Sequence, residues 1–406
     1  MVATWHTLPA EMQLAIVDNL DRADARVFST VDQRTYAACV SLLFRDVKLN
    51  SHSDLQRFLQ NVPRDYCRHI ETLDVGTEGD ARTHADALIS LLLASPRLVQ
   101  LVLRLQGSPD KSVIPAFSCL SNLRHLTISN VAEEVISPLS ERLVVSIAAS
   151  VPDLRYLSLD RISRSTLHAP ELVGKYPFVP LVRGDEDVPD HPVLGSALSL
   201  PSLLTIPSLR QLTIRDTHLG DPLWATAPVA CRLEVLHLGS CAHESEDPNR
   251  AAIQRITSAV GATLHAFSLS TALSAPPAPL PRLRTLHLSP FFPVADAVDA
   301  LEALAGSPIE ALSVQCFADD VADACTALGA FLRLRAARGP AFYDKLARID
   351  VSVAGDADGD LTPDADADAA REKLQAFCDD LRLASKVGKA PRPRAGDRLR
   401  SNSCAF

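Results

Sequence analysis

Glycine-rich phosphate loops are missing from this 406-residue chain. It holds 16 glycines, and neither G-x-x-x-x-G-K-[ST] nor G-x-G-x-x-G occurs among them. That removes two common backbone cradles for nucleotide phosphates. The G-x-S-x-G nucleophile elbow and the H-E-x-x-H zinc motif are absent too. No C-x-x-C pair exists. The nine cysteines (Cys39, Cys67, Cys119, Cys231, Cys241, Cys316, Cys325, Cys378 and Cys404) are odd in number and scattered. They argue for reduced, buried thiols and against a disulfide framework or a zinc site. Basic charge is short: 40 Lys and Arg face 49 Asp and Glu, a net charge of -9. That balance argues against nucleic acid as the main partner, because such binding rests on neutralising phosphates. Long apolar runs are lacking as well. The densest, Ala87–Ala94, falls far short of the ~20 residues that cross a bilayer, and the N-terminus has no basic region followed by an apolar one. These absences predict a chain that is not an enzyme, takes no cofactor or metal, contacts no membrane, and works in the cytoplasm or nucleus.

What is present is aliphatic. Apolar residues make up 47% and aromatics only 5%, a composition suited to many small repeated layers. A pattern L-x-x-L-x-[LIV] returns ten times: Ile70–Val75, Leu98–Leu103, Leu123–Ile128, Leu154–Leu159, Leu209–Ile214, Leu233–Leu238, Leu264–Leu269, Leu283–Leu288, Ile309–Val314 and Leu346–Val351. Most starts are 19 to 31 residues apart, with longer gaps of 55 and 37. The end of each motif alternates apolar and polar residues, the period of a strand with one buried face. Between motifs, Ala85–Ser95, Glu141–Val151, Ala251–Ala262, Val294–Ala305 and Asp323–Arg338 carry apolar residues at helical spacing. Pro or Ser often stands just before the next strand.

Repeated strand–turn–helix units at this period resemble the leucine-rich-repeat family over roughly Val47–Val353. The fold class this implies is α/β: an irregular solenoid of parallel strands plus helices. The Asn that usually follows the strand is mostly missing, and Asn130 comes nearest to it. An ordinary doubly wound α/β domain is the competing architecture. The interval 161–207, with GKYPFVPLVRGDEDVPDHPVLG, has no sustained periodicity and is expected to be a long loop emerging from the solenoid. The segment 385–406 is expected to be a basic disordered tail, with six Lys or Arg between Lys386 and Phe406. Asp356–Ala370 opens D-x-D-x-D like a calcium loop, but Leu361 stands where Gly is needed and Ala367 where Glu is needed. It reads as a solvated acidic loop.

The polar strand positions His125, Thr127, Tyr156, Ser158, Thr213, Arg215, His237, Ser268, His287 and Ser313, with Thr285, are expected to share the concave side as a partner-binding surface. Solvated positions with no ligand are the plainer reading of any one of them.

The N-terminus differs. Pro9 suits a first helical position and Glu11 a first turn. Leu8, Met12, Ile16 and Leu20 recur every four residues, with Val17 beside them. Two further helices are expected after Asp21 and Asp32, then a first strand at Arg45–Leu49. A helix over Ser53–Val62 follows, with Ser53 and Gln56 placed for a capping box. The order Leu8-Pro9-Ala10-Glu11-Met12, Ile16-Val17, Leu20-Asp21-Arg22-Ala23-Asp24, Val31-Asp32-Gln33-Arg34-Thr35-Tyr36 and Leu43-Phe44-Arg45-Asp46-Val47 resembles the F-box. Tyr36 stands where the family usually has Trp. The resemblance implies an all-α F-box-like subdomain over 1–46 and a repeat domain over 47–384. It further implies a substrate receptor of a cullin–RING ubiquitin ligase. Leu8, Pro9, Glu11, Met12, Ile16, Val17, Leu20, Val31 and Tyr36 would dock the S-phase kinase-associated adaptor, with the cullin reached through it, and the concave face would hold a protein substrate. The alternative is a leucine-rich-repeat scaffold unconnected to ubiquitin. A purely capping role for the helices, shielding the first repeat, is compatible with either.

Overall fold

Each of the ten motifs becomes a parallel strand in the computed structural model, which describes residues 5–77, 84–175, 178–239, 246–273, 279–339 and 341–354. The acidic stretch Asp356–Ala370 and the basic segment 385–406 lie outside the described residues. The chain forms two compact units.

The first unit comprises residues up to Arg155 together with Gly184–Leu198. It opens with α1 (Ala10–Val17), α2 (Arg22–Phe28) and α3 (Gln33–Leu43). Asp21 and Asp32 cap the second and third helices, accepting from Asp24 N at 2.7 Å and Thr35 N at 2.8 Å. Helix α1 begins after Pro9 rather than at it, with no side-chain cap. Then come β1 (Asp46–Leu49), α4 (His52–Asn61), α5 (Arg64–Cys67), β2 (Thr72–Gly76), α6 (Ala85–Ala94), β3 (Gln100–Leu105), α7 (Ile114–Ser118), β4 (His125–Asn130) and α8 (Glu141–Ser150). The four strands pair in chain order, all parallel. Helix α4 is capped by Ser51, not Ser53. Asp54 N donates to Ser51 Oγ, and Asn50 N donates to the Asp54 carboxylate. The reciprocal cap therefore sits two residues earlier than the sequence suggested, because Ser53 already lies inside the first turn.

The second unit comprises Tyr156–Arg183 and the described residues from Ser199 on. Its strands β5 (Tyr156–Asp160), β8 (Gln211–Arg215), β9 (Val235–Leu238), β10 (Ala266–Leu269), β11 (Thr285–Leu288), β12 (Ala311–Cys316) and β13 (Arg348–Val353) pair in that order, all parallel. A separate two-residue ladder joins β6 (Arg164–Ser165) to β7 (Leu181–Val182). Helices α9 (Glu246–Val260), α10 (Ala297–Ala303) and α11 (Val321–Arg338) stand between later strands. A 3₁₀ helix, Leu200–Thr205, takes the helix position before β8.

This is a stacked parallel α/β arrangement whose core is the motif itself. Leu98, Leu101 and Leu103, or Leu283, Leu286 and Leu288, are all buried, as are their counterparts in the other repeats. Each such side chain contributes roughly 1.5–3 kcal/mol by leaving water. Repeats of this kind cannot bury that face alone, so neighbours supply the partner surface.

The turns after the strands are held one by one. Asn130 is buried, its Oδ1 accepting from Gly107 N at 3.2 Å and Ala132 N at 3.1 Å, its Nδ2 donating to Ser137 O at 2.9 Å. Threonine does related work elsewhere. Thr77 Oγ1 accepts from Gln106 N, and Thr217 Oγ1 accepts from Ile162 N while donating to Arg215 O.

The interval 161–207 departs from its expectation as a projecting loop. Arg164 is fully buried and pairs with Asp221 at 2.7 Å, 57 residues away. Within the first unit, Ser140 Oγ donates to the Asp185 carboxylate at 2.7 Å, and Arg142 donates to the carbonyls of Asp185, Val188 and Ser196. Such buried charges hold only when paired, so both stretches are packed parts of their units.

Candidate interaction surfaces

The helical trio has a small core and several exposed apolar side chains among its polar ones. Val17, Ala25, Thr35, Cys39 and Val40 are buried among the three helices. Val17 is thus core, a correction to its place among docking residues: it is fully buried, on a helix that packs against α3. Met12 is 52% exposed, Ile16 41% and Val31 64%, and Leu14 and Val27 are exposed with them. Pro9 and Glu11 are exposed, while Leu8 and Leu20 are half-buried. Tyr36 is half-buried against Tyr66, with ring centroids 6.3 Å apart, and Tyr66 in turn packs on Phe44 at 5.2 Å. Burial raises its phenol pKa, and Tyr66 adds to the shift. Tyr36 therefore anchors the trio to the first repeat. Arg45 reaches both Asp18 and Glu71, at 3.7 and 3.8 Å, and ties the same two parts.

The polar strand positions line up as the motif predicts, but their environments differ. In the first unit, Lys48, Asp74, Val102 and Thr127 are register neighbours. Arg104 lies across Asp74 at 2.9 Å, donates to Asn50 Oδ1 at 3.2 Å, and leaves this row open and charged. Thr127 and His125 are half-buried. Burial lowers the His125 pKa, and Arg124 and Arg155 push the same way.

In the second unit one row runs Ser158, Thr213, His237, Ser268, His287, Ser313 and Asp350. Thr213, His237, Ser268 and His287 are buried, which corrects the expectation of an open polar ladder there. The strand period fixes which side a residue faces, not how deeply that side is covered. Burial pushes both imidazoles down to about 4, and the Arg215 guanidinium beside them adds to the shift. Both rings are neutral at pH 7. Tyr156 and Arg215 are exposed, Ser158 and Ser313 half-buried, and Thr285 sits one step earlier, in register with Ala266 and Ala311.

Three aspartates belong to the polar faces as well. Asp74, Asp160 and Asp350 occupy the same polar positions and would have followed from the same period. At the ends of β5 and β8, Asp160 faces Arg215 in register, and the next pair, Arg161 and Asp216, both take left-handed backbone at φ 55 and 42. Burial raises the Asp160 carboxyl pKa and Asp216 adds to it, against Arg161 and Arg215. Left-handed, non-glycine residues carry strain of about 1–3 kcal/mol each.

Among the described residues no three His, Cys, Asp or Glu side chains gather as a metal site. No described helix is long and apolar enough to cross a membrane. Cys39, Cys67, Cys231 and Cys316 are buried free thiols, and Cys119 is exposed.

No protein-family profile matches this chain, and no curated protein does. Among solved structures, a chain of the crystal structure of the Rad7 and Elc1 complex in yeast is similar at 14% identity, over 88% of this chain and 92% of that one, with a TM-score of 0.27. A similarity that low carries no argument about fold or partner.

Proposed function

We propose that this protein is a substrate receptor of a cullin–RING ubiquitin ligase: the helical trio docks the S-phase kinase-associated adaptor, and the repeat units hold a protein substrate. The observation that carries this reading is the exposure of Met12, Leu14 and Ile16 on α1, Val27 on α2 and Val31 in the turn before α3, while Val17, Ala25, Thr35, Cys39 and Val40 are buried. A terminal cap needs a polar outer surface, whereas a cluster of exposed apolar side chains marks an interface. The order of F-box-like residues from Leu8 to Val47 names the partner class. The chain's own contribution is positional, raising the local concentration of substrate near the charged conjugating enzyme. Leu8, Pro9, Glu11, Met12, Ile16, Leu20 and Val31 form the docking face, Tyr36 supports it from behind, and Val17 holds the helices together. On the repeats, Thr127, Tyr156, Ser158, Arg215 and Ser313 are the accessible substrate-facing positions, joined by Lys48, Asp74 and Arg104.

Retention of purified adaptor by the immobilised full chain tests this. Wild type retains it, and Met12→Asp combined with Ile16→Asp abolishes retention while the far-ultraviolet circular dichroism is unchanged. Failure of wild type to bind, or undiminished binding by the double variant, defeats the reading. A scaffold without a ubiquitin role is the second reading. The charged row of Lys48, Asp74 and Arg104 favours it, since that surface can take a partner without the helices.

A further inference from the structure

We propose that a hollow at the start of β10, β11 and β12 binds a phosphate group through Arg282, Arg284 and Lys345. His265, Arg284 and Glu310 each stand just before one of these strands. Arg284 N donates to His265 O and Glu310 N donates to Arg284 O, both at 2.8 Å, so the three are held at strand spacing. Arg282 comes from the turn before β11 and Lys345 from the turn before β13. Pro281 and Pro308 flank them, and their locked φ angles keep the hollow preformed. Its volume is about 220 Å³, below the ~300–1,000 Å³ typical of drug-sized ligand sites. It suits one charged group, not a whole nucleotide.

The charges do not balance. Among the described residues Glu310 is the single carboxylate lining the hollow, and it is engaged by Arg284 Nη1 at 2.7 Å. Among the described residues, Arg282 and Lys345 have no ion-pair partner. Three cations against one carboxylate leave a surplus of two positive charges, close to the roughly -1.5 to -2 charge of a phosphate monoester near neutral pH. In a chain of net charge -9 this local surplus stands out. Like charges held over one concavity repel each other, and a bound dianion relieves that while accepting charge-assisted hydrogen bonds from the guanidinium groups. The site lies wholly in the second unit and does not depend on the helical trio.

The phosphate can be free or carried on a side chain of a partner protein, and two probes separate the cases. The full chain is titrated calorimetrically at low ionic strength with inorganic phosphate, and with a short phosphoserine peptide and its unphosphorylated counterpart. Both phosphate-bearing probes bind and the unphosphorylated peptide does not. Arg282→Ala with Lys345→Ala weakens them at least ~10-fold. Both residues are exposed, so the fold is unaffected. Glu310→Gln tightens binding severalfold by removing the competing carboxylate. Tighter binding of the phosphopeptide than of inorganic phosphate assigns the group to a partner's side chain; equal affinities assign it to the free ion. No binding of either probe, or affinities unchanged in the double variant, overturns the site.

Discussion

The polar rows of the two units grow from one motif and end in opposite states. In the first, Lys48, Asp74 and Arg104 form an open ionic network on a face bordered by half-buried Thr127. In the second, Thr213, His237, Ser268 and His287 form a buried, uncharged strip. The motif dictates side and register in both. Chemistry in the first unit is that of a solvated surface, where a single ion pair contributes about 0–1 kcal/mol. In the second unit a charge is penalised by burial, which favours the neutral form of both imidazoles.

Charge insertion separates the two rows most strongly. His287→Lys costs on the order of 3–5 kcal/mol, because the buried strip must either hold an ammonium charge or strip it of its proton. Thr127→Lys in the first unit stays within about 0.5 kcal/mol. Urea midpoints at pH 7 measure both, and equal losses erase the distinction.

Acidification is the next test. The folded-state pKa values of His237 and His287 lie near 4, below the ordinary value of 6.5. The unfolded chain therefore takes up protons first as pH falls. The stability these groups support is present above pH 6.5 and is lost progressively toward pH 4, by roughly 3 kcal/mol for each ring. His237→Gln with His287→Gln flattens this part of the pH profile. An unchanged slope in that variant contradicts the buried, neutral assignment.

A smaller loss than that of His287→Lys is expected at a turn. Asn130→Ala removes two acceptances and one donation among buried backbone groups and costs about 1–3 kcal/mol. A loss no larger than at an exposed polar position means water replaces the amide there.

The strands were legible because leucine spacing alone states their period. Leu209, Leu212 and Ile214 identify β8 with no knowledge of its neighbours. Helices α6, α8 and α11 were legible for the same reason, to within a few residues at their ends. The segment around Arg164 and Asp185 was not, since its order comes from partners such as Asp221 and Ser140, dozens of residues away in sequence. The cap of α4 is Ser51 and not Ser53, two residues that look alike in one dimension and that only the backbone turn distinguishes. Candidate surface residues were legible as to face and illegible as to depth. Val17 and His287 both occupy positions their periods predict, and both are buried by what packs around them.

Hydrogen–deuterium exchange of the full chain, with and without purified S-phase kinase-associated adaptor, tests the central claim most directly. Added adaptor is predicted to protect amides in α1–α3, from Ala10 to Leu43, and to leave β8–β11 unchanged. Unchanged exchange in the three helices, or protection confined to the repeat strands, would contradict it.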